Sequence, residues 1–436
     1  MTTKNSNHPV NRRQILKTGA AATAGLWITS GLYAANAQSP NDKLNIGVIG
    51  IGGQGRANLN AVAHENIVAL CDVDDERAGD AYDKHRQAKK YFDYRTMLDE
   101  MGNQIDAVVV STPDHTHFHP AMAAMDMGKH LYCEKPMAHS ISEIRAMTDL
   151  AKKNKLATQL GVQRHTIPNV HRVVEIIQSG AIGEVREIYS KLGGDRGMPA
   201  VPTEFPPVPK HLKWDLWLGP TKERKYSPEY CPYKWRFWWD FGTGETGNWG
   251  CHILDIPYWA LKLEHCNKVS AWGPELDKDR TPKELSMKYE FPARGDLPPV
   301  TLHWVHTTKP IKSLQERGIP QDGNNIFVGS KGTLVCGFDK RKLYPENKFA
   351  DYNEPAPSIA DSPGFRQEWI NACKGGETAT CNFDYSGPMA ETVILGNTAY
   401  RAQKDFEWQS KTMTAVGAPS AEPFLRPTFR KGWPQV

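Results

Sequence analysis

Apolar residues run in short bursts along the first third of the chain, separated by longer mixed stretches. Residues 44–51, LNIGVIGI, are almost wholly apolar and stop at glycine, which reads as a short buried strand. Similar bursts recur at IVALC (67–71), DAVVVS (106–111), HLYCEKP (130–136) and LATQLGV (156–162). Helices are predicted between them, from Gly55 to about His64, over roughly 119–128 up to Gly128, and after Ser140. Ser140-x-x-Glu143 is a capping box that starts the last of these. Strands alternating with helices predict an α/β fold with a doubly wound parallel sheet. Ligands of such sheets lie at the carboxyl ends of the strands. Further on, EVREIYSKL, KVSAW, LSMKYEF, VTLHWVH and the pair around SKGTLVC read as successive strands.

The first 37 residues do not belong to this pattern. Lys4, Arg12, Arg13 and Lys17 precede a run, 18–41, without a single charge. Ala35-Asn36-Ala37 fits a small-x-small cleavage site before Gln38. Residues 1–37 are therefore read as a twin-arginine signal peptide, which predicts a periplasmic or secreted protein carried by the twin-arginine translocase. The run is too short and too rich in Gly, Ala, Thr and Ser for a spanning helix. The chain is formally +4, and the signal holds four positive charges and no acid. The mature chain is therefore neutral, with no nucleic-acid or anionic-membrane footprint.

About 400 mature residues predict roughly two domains. The division expected is 44–165, 166–415 and a Pro- and aromatic-rich arm at 416–436 without helical period, able to cover a domain or a partner subunit. Eight cysteines are too few for a disulfide scaffold at this length. Cys71 and Cys133 end core strands and are expected to be buried thiols, whereas Cys373 and Cys381 could pair.

The first strand leads into Gly50-x-Gly52-x-x-Gly55, and Asp72 follows 22 positions after Gly50 at the end of the second strand. Strand, glycines, helix, strand and acid together are the fingerprint of a dinucleotide site. Gly50 permits the tight turn, Gly52 and Gly53 the approach of a pyrophosphate, and Gly55 close helix packing, with Gln54 opening the helix. Asp72 can accept bonds from ribose hydroxyls and repels a 2′-phosphate, which favours NAD over NADP. Arg77 is the nearby cation that leaves NADP open. Thr112, Pro113, His117, Glu134, Lys135 and Gln163 fall at strand ends around the same crevice. The histidines of DHTHFH lack the acids or cysteines of a metal site, so phosphate or ribose contacts are expected there and no metal.

The motifs GxGxxG, STPDHTH, EKP and GNWGCHILD, with GVQRH, GAIGEVREI and LGNTAYR, together resemble the glucose-fructose oxidoreductase/inositol dehydrogenase (Gfo/Idh/MocA) family from about Leu44 to Trp433. The resemblance implies a C-terminal α/β domain with a large, mostly antiparallel open sheet. It also implies that Lys135 lies beside nicotinamide and substrate and that His252 is the acid/base. Chemically this is sensible: histidine titrates near neutrality, and a lysine ammonium stabilises a developing alkoxide. Many relatives place aspartate where this chain has Asn248; either Asp255, three residues past His252, substitutes for it from the same helix face, or the chemistry differs from simple dehydrogenation, with Glu245 another acid in the loop. Eleven aromatic residues between Trp214 and Trp249 are expected mostly to pack the loop, two or three of them reaching substrate. Arg164, Trp235, Arg236, Asn248 and Asp255 are the expected sugar contacts.

The expected activity is an NAD-dependent oxidoreductase acting on a sugar or glycoside hydroxyl, with its cofactor retained because the periplasm offers no useful free pool. A redox-neutral NAD-dependent glycosidase or epimerase is the second reading, and a non-catalytic sugar- or nucleotide-binding protein the third. An open sheet needs covering, so a homo-oligomer, dimer or tetramer, is expected.

Overall fold

The computed structural model describes residues 43–436; the signal-peptide reading of 1–37 lies outside the described residues. Two sheets organise the chain. The first holds β1 (Asn45–Ile49), β2 (Asn66–Cys71), β3 (Lys89–Tyr91), β4 (Ala107–Val110), β5 (His130–Glu134) and β6 (Thr158–Gly161). Its order is β3-β2-β1-β4-β5-β6 and every pair is parallel. The helices between are α1 (Gln54–Val62), α2 (Asp75–Lys84), α3 (Tyr94–Met101), α4 (Phe118–Asp126) and α5 (Ile141–Lys153). Strands covered on both faces have no polar side, which is why β4 is AVVV and wholly buried. The strand order reverses between β1 and β4, and the crevice that opens there receives the loops after β1, β2, β4 and β5.

After α6 (Pro168–Gln178) the second sheet begins with β7 (Val185–Leu192). It continues, beyond α7 (Gly244–Leu261), with β8 (Lys268–Trp272), β9 (Leu285–Phe291), β10 (Val300–His306), β11 (Asn325–Gly329), β12 (Thr333–Cys336) and β13 (Arg341–Tyr344). After α8 (Phe365–Cys373) and α9 (Phe383–Ala402) it closes with β14 (Phe406–Gln409) and β15 (Thr414–Val416). The order is β13-β12-β11-β7-β10-β9-β8-β14-β15. Only β7 and β10 pair in parallel, so the sheet is mostly antiparallel, as expected. β9 and β10 alternate strictly between buried and half-buried residues. Met287, Tyr289, Leu302 and Trp304 point into one core with Leu254, Val393 and other residues of α7 and α9. Each large apolar side chain so buried contributes roughly 1.5–3 kcal/mol. The opposite face is left to residues such as Lys288, Glu290, Thr301 and His303.

The sheets are tied together across the chain. Arg145 on α5 grips Glu391 on α9 bidentately at 2.7 and 2.9 Å. Residues 365–383, expected in the second domain, return to the edge of the first sheet. There Gln159 donates to Phe365 O, and the Cys381 carbonyl accepts from Leu160 N. All eight cysteines are free thiols; Cys71, Cys133 and Cys381 are buried and Cys373 is partly so, and Cys373 and Cys381 do not pair.

The C-terminal arm covers this chain's own first domain. It contains one helical turn, Glu422–Leu425, and then runs irregularly over α4. Arg430 donates to Gly219 O at 2.6 Å and pairs with Asp215. Trp433 lies edge-on to His119 at 4.9 Å with the Arg95 guanidinium 5.1 Å over it. His119 Nε2 meets Pro434 O at 3.0 Å. Among the described residues no helix is long and apolar enough to cross a membrane.

Candidate active site

One cavity of about 760 Å³ runs along the crevice. Gly50, Gly52, Gly53 and Gln54 line one end together with Asp72, Arg77, Thr112 and Pro113. Gly50 has φ +81°, and a Cβ there would meet Ser111 backbone at 2.7 Å. A Cβ on Gly55 would fall 2.1 Å from Gly50 O, so only glycine lets α1 approach the turn. No described side chain caps α1, whereas Asp74 caps α2. The open N-terminus of α1 is thus an anion-binding end facing a groove that side chains cannot fill. Asp72 Oδ2 accepts from Ile51 N at 2.7 Å and Oδ1 from Asp74 N at 3.0 Å, which fixes the carboxyl at the rim. Burial raises its pKa. Each oxygen keeps a lone pair for ribose. Arg77 sits beside Gly52, where an added Cβ would meet its Nε at 2.8 Å. These residues fit NAD.

Further along, Glu134 and Lys135 leave the end of β5. Glu134 accepts from Asn58 Nδ2 at 3.0 Å and Gln163 Nε2 at 2.6 Å, which anchors the turn. Lys135 Nζ donates to Asn248 Oδ1 at 2.8 Å. The Asn248 amide faces Glu245 at 3.3 Å, and Glu245 is paired with Arg196 at 2.7 Å. Burial lowers the Lys135 pKa, and the nearby Arg236 charge adds to this. His252, one turn along α7 from Asn248, lines the cavity while its Nδ1 is buried without a partner. That leaves Nε2 as the open nitrogen. Burial, then the charges of Lys135 and Arg164, holds His252 well below its ordinary value of 6.5. This favours the neutral imidazole, a base, beside Lys135, whose protonated form can steady an oxyanion.

Two expectations, those for Asp255 and His117, are corrected by the geometry. Asp255 does not serve His252 and does not line the cavity. Its carboxylate takes His165 Nδ1 at 2.9 Å and the Tyr385 hydroxyl at 2.7 Å, in a buried cluster that also contains Cys381. Asn248 lines the cavity and also holds Lys135 in place. His117 does not reach the cavity: both ring nitrogens lie 2.8 Å from carbonyls, Pro136 O and Thr112 O, so it braces the β4 turn to the β5 turn. Gly55 acts through packing, behind the cavity wall. Gly50, Gly52, Gly53, Gln54, Asp72, Thr112, Pro113, Glu134, Lys135, Gln163, Arg164, Trp235, Arg236, Asn248 and His252 come together around the one space.

Residues 44–162 match the model for the NAD-binding Rossmann fold of an oxidoreductase family. Residues 197–297 match the same family's C-terminal alpha/beta domain, and the two matches together span about half the chain. The chain belongs to the Gfo/Idh/MocA oxidoreductase family. Inositol 2-dehydrogenase of Salmonella typhimurium is 30% identical over 154 residues, 34% of this chain and 45% of that protein. Levoglucosan dehydrogenase of Pseudarthrobacter phenanthrenivorans is 26% identical over 246 residues, 53% of this chain and 55% of that one. The chain thus spans about half the length of the curated relatives it matches. Among solved structures, an NAD-binding protein from Listeria innocua shares the fold, with a TM-score of 0.59 at 18% identity over 84% of this chain and 97% of that one.

As a Gfo/Idh/MocA member the chain has cavity residues that its motifs did not reveal. Phe92, Tyr94 and Arg95 follow β3, Arg366 arrives from α8, and Trp433 from the arm. None lies near a motif in sequence; only the unusual density of aromatics and arginines in 424–433 hinted at the last. Of the aromatic segment, Trp217, Tyr233, Trp235 and Trp249 line the cavity. Trp214, Trp217, Tyr226, Tyr230, Trp235, Trp238 and Phe241 pack on one another as a separate small core.

Proposed function

We propose that this protein is an NAD-dependent oxidoreductase of a sugar or glycoside hydroxyl, exported by the twin-arginine route with its cofactor in place. The observation that carries the reading is the pairing, in one cavity, of a neutral His252 with a Lys135 ammonium at the far end of the dinucleotide groove. NAD, when bound, supplies the hydride acceptor. The chain supplies the rest. His252 Nε2 takes the hydroxyl proton, Lys135 Nζ donates a hydrogen bond to the same oxygen as charge builds on it, and Asn248 holds that ammonium in place. The relatives named above are dehydrogenases of inositol and levoglucosan, both polyols, which supports a carbohydrate carbinol as substrate. Export is supported by Arg12-Arg13 and the uncharged run after them. Retention of NAD is supported by Trp433, which puts the C-terminal arm on the cavity wall. The half-buried outer face of the nine-stranded sheet supports a homo-oligomer.

The test is to denature purified, undialysed protein and quantify the nicotinamide nucleotide released. Close to one NAD(H) per chain is expected, and sugars added without NAD should then change the absorbance at 340 nm. An empty protein that binds added NAD only loosely overturns retention. Hydrolysis of a glycoside with no net NADH would replace this reading by the redox-neutral one.

A further inference from the structure

Of two arginines at the substrate end of the cavity, Arg164 pairs with no carboxylate among the described residues, and Arg236 pairs only with Asp114, at 3.7 Å. Arg164, in the turn Gln163–Thr166 after β6, lies 4.5 Å over the Phe338 ring and 5.1 Å over Trp249. Its guanidinium forms no hydrogen bond or ion pair with any described residue. Arg236 lies 4.3 Å over Trp235, and its buried Nη1 has no hydrogen-bond partner among the described residues. The carboxylate facing it, Asp114, stands off at 3.7 Å and is turned to Thr243, taking both its N–H and its hydroxyl. The other acids close by are also engaged: Glu134 with Asn58 and Gln163, Glu245 with Arg196 and Asn248.

Both guanidinium groups therefore lie over aromatic rings, with donors that no described residue satisfies. Arg236 is one of the charges acting on Lys135, and Arg164 one of those acting on His252, so each stands near one of the two reacting side chains. A guanidinium fork matches a planar carboxylate or a phosphate, and partly buried cations are costly unless paired. Neutral sugar hydroxyls would satisfy the donors but leave the charge. The cofactor's own phosphates belong at the other end of the cavity, beside the glycine turn and Arg77.

We propose that the sugar turned over here carries an anionic group, a carboxylate or a phosphate ester, bound by Arg164 and Arg236. This rests on the oxidoreductase reading for the word turnover but not for the binding site. The test uses the full-length chain with NAD and matched probes: glucose, glucuronate and glucose 6-phosphate. Binding is read by quenching of tryptophan fluorescence and turnover by absorbance at 340 nm. An acidic probe is expected to bind at least about tenfold more tightly than glucose, and glucuronate against the phosphate tells which anion the site takes. Arg164→Gln and Arg236→Gln should each remove about tenfold or more of that preference, with Arg164→Lys restoring part of it. Equal binding of glucose and both acidic probes overturns the proposal; that comparison uses the unaltered chain, so it holds even where a variant fails to fold. Acidic probes that bind without any absorbance change would sustain the anion site and sink the oxidoreductase reading. Reduction of NAD by glucose as readily as by the acids would do the reverse.

Discussion

At the scale of single residues the site is built on two opposed charge states. Burial and two cations hold the His252 pKa well below 6.5, and burial with the Arg236 charge lowers that of Lys135, whose cation the reaction uses. A base whose folded pKa lies below 6.5 stays competent as the solution is acidified. The acid limb of kcat/KM should therefore fall below pH 6.5, and the alkaline limb, governed by Lys135, below 10.5. Asn248→Asp puts a carboxylate at Lys135 Nζ and one turn from His252, which favours both charged forms. Both limbs should move upward in a pH–rate profile; an unmoved acid limb would mean that His252 is not the base. His252→Ala should lower kcat by roughly 10²–10⁴ with nucleotide content unchanged. That Lys135 and His252 meet in one cavity was legible because each sits inside a dense motif. The partner of Asp255 was not. Spacing along α7 placed Asp255 near His252, but the fold brings His165 and Tyr385 to it from 90 and 130 residues away, and no local pattern encodes such a meeting.

At the scale of elements, α5 shows how a local signal can be right and still be used differently. Ser140 caps the helix by accepting from Glu143 N, as the capping box predicts. The Glu143 carboxyl, however, also accepts from His139 N at 3.0 Å, one residue further out than the Ser140 N–H. It is buried, and burial pushes its pKa from 4.5 up to about 7. A folded value above the unfolded one means stability that is complete below pH 4.5 and lost as pH rises through 7. That loss is about 3 kcal/mol. Glu143→Gln keeps the carbonyl acceptor and removes the titration. Its stability in urea should stay level between pH 5 and 8 while the parent's falls; parallel curves would refute this. The longer strands were readable because apolar runs of four or more residues have few alternatives. β3, β13 and β15 were not: β3 is only KKY, β13 and β15 are short, and all three are held by the neighbour's backbone and not by their own pattern.

At the scale of the molecule the loops of the first sheet and the start of α7 share one cavity, and segments distant in sequence finish it. The return of 365–383 to the first sheet brings Arg366 to Asn58 at 2.7 Å, and the arm brings Trp433 to the rim beside Phe92–Arg95. Sequence reading foresaw an ordered arm but not its target, since contacts 300 residues apart leave no trace in periodicity. Ending the chain after Arg430 removes Trp433 and the Pro434 contact while keeping the Arg430 anchor. The shortened protein should fold and lose NAD on gel filtration, with at least about tenfold faster exchange of added nucleotide; unchanged nucleotide content would show that the arm is no clasp. The position of that arm also sets an order of events during synthesis. A ribosome releases the C-terminus last, so the six-stranded sheet can form, and its glycine turn can fill, while Trp433 is still inside the exit tunnel. Loading of the nucleotide can thus precede closure of the arm over the rim.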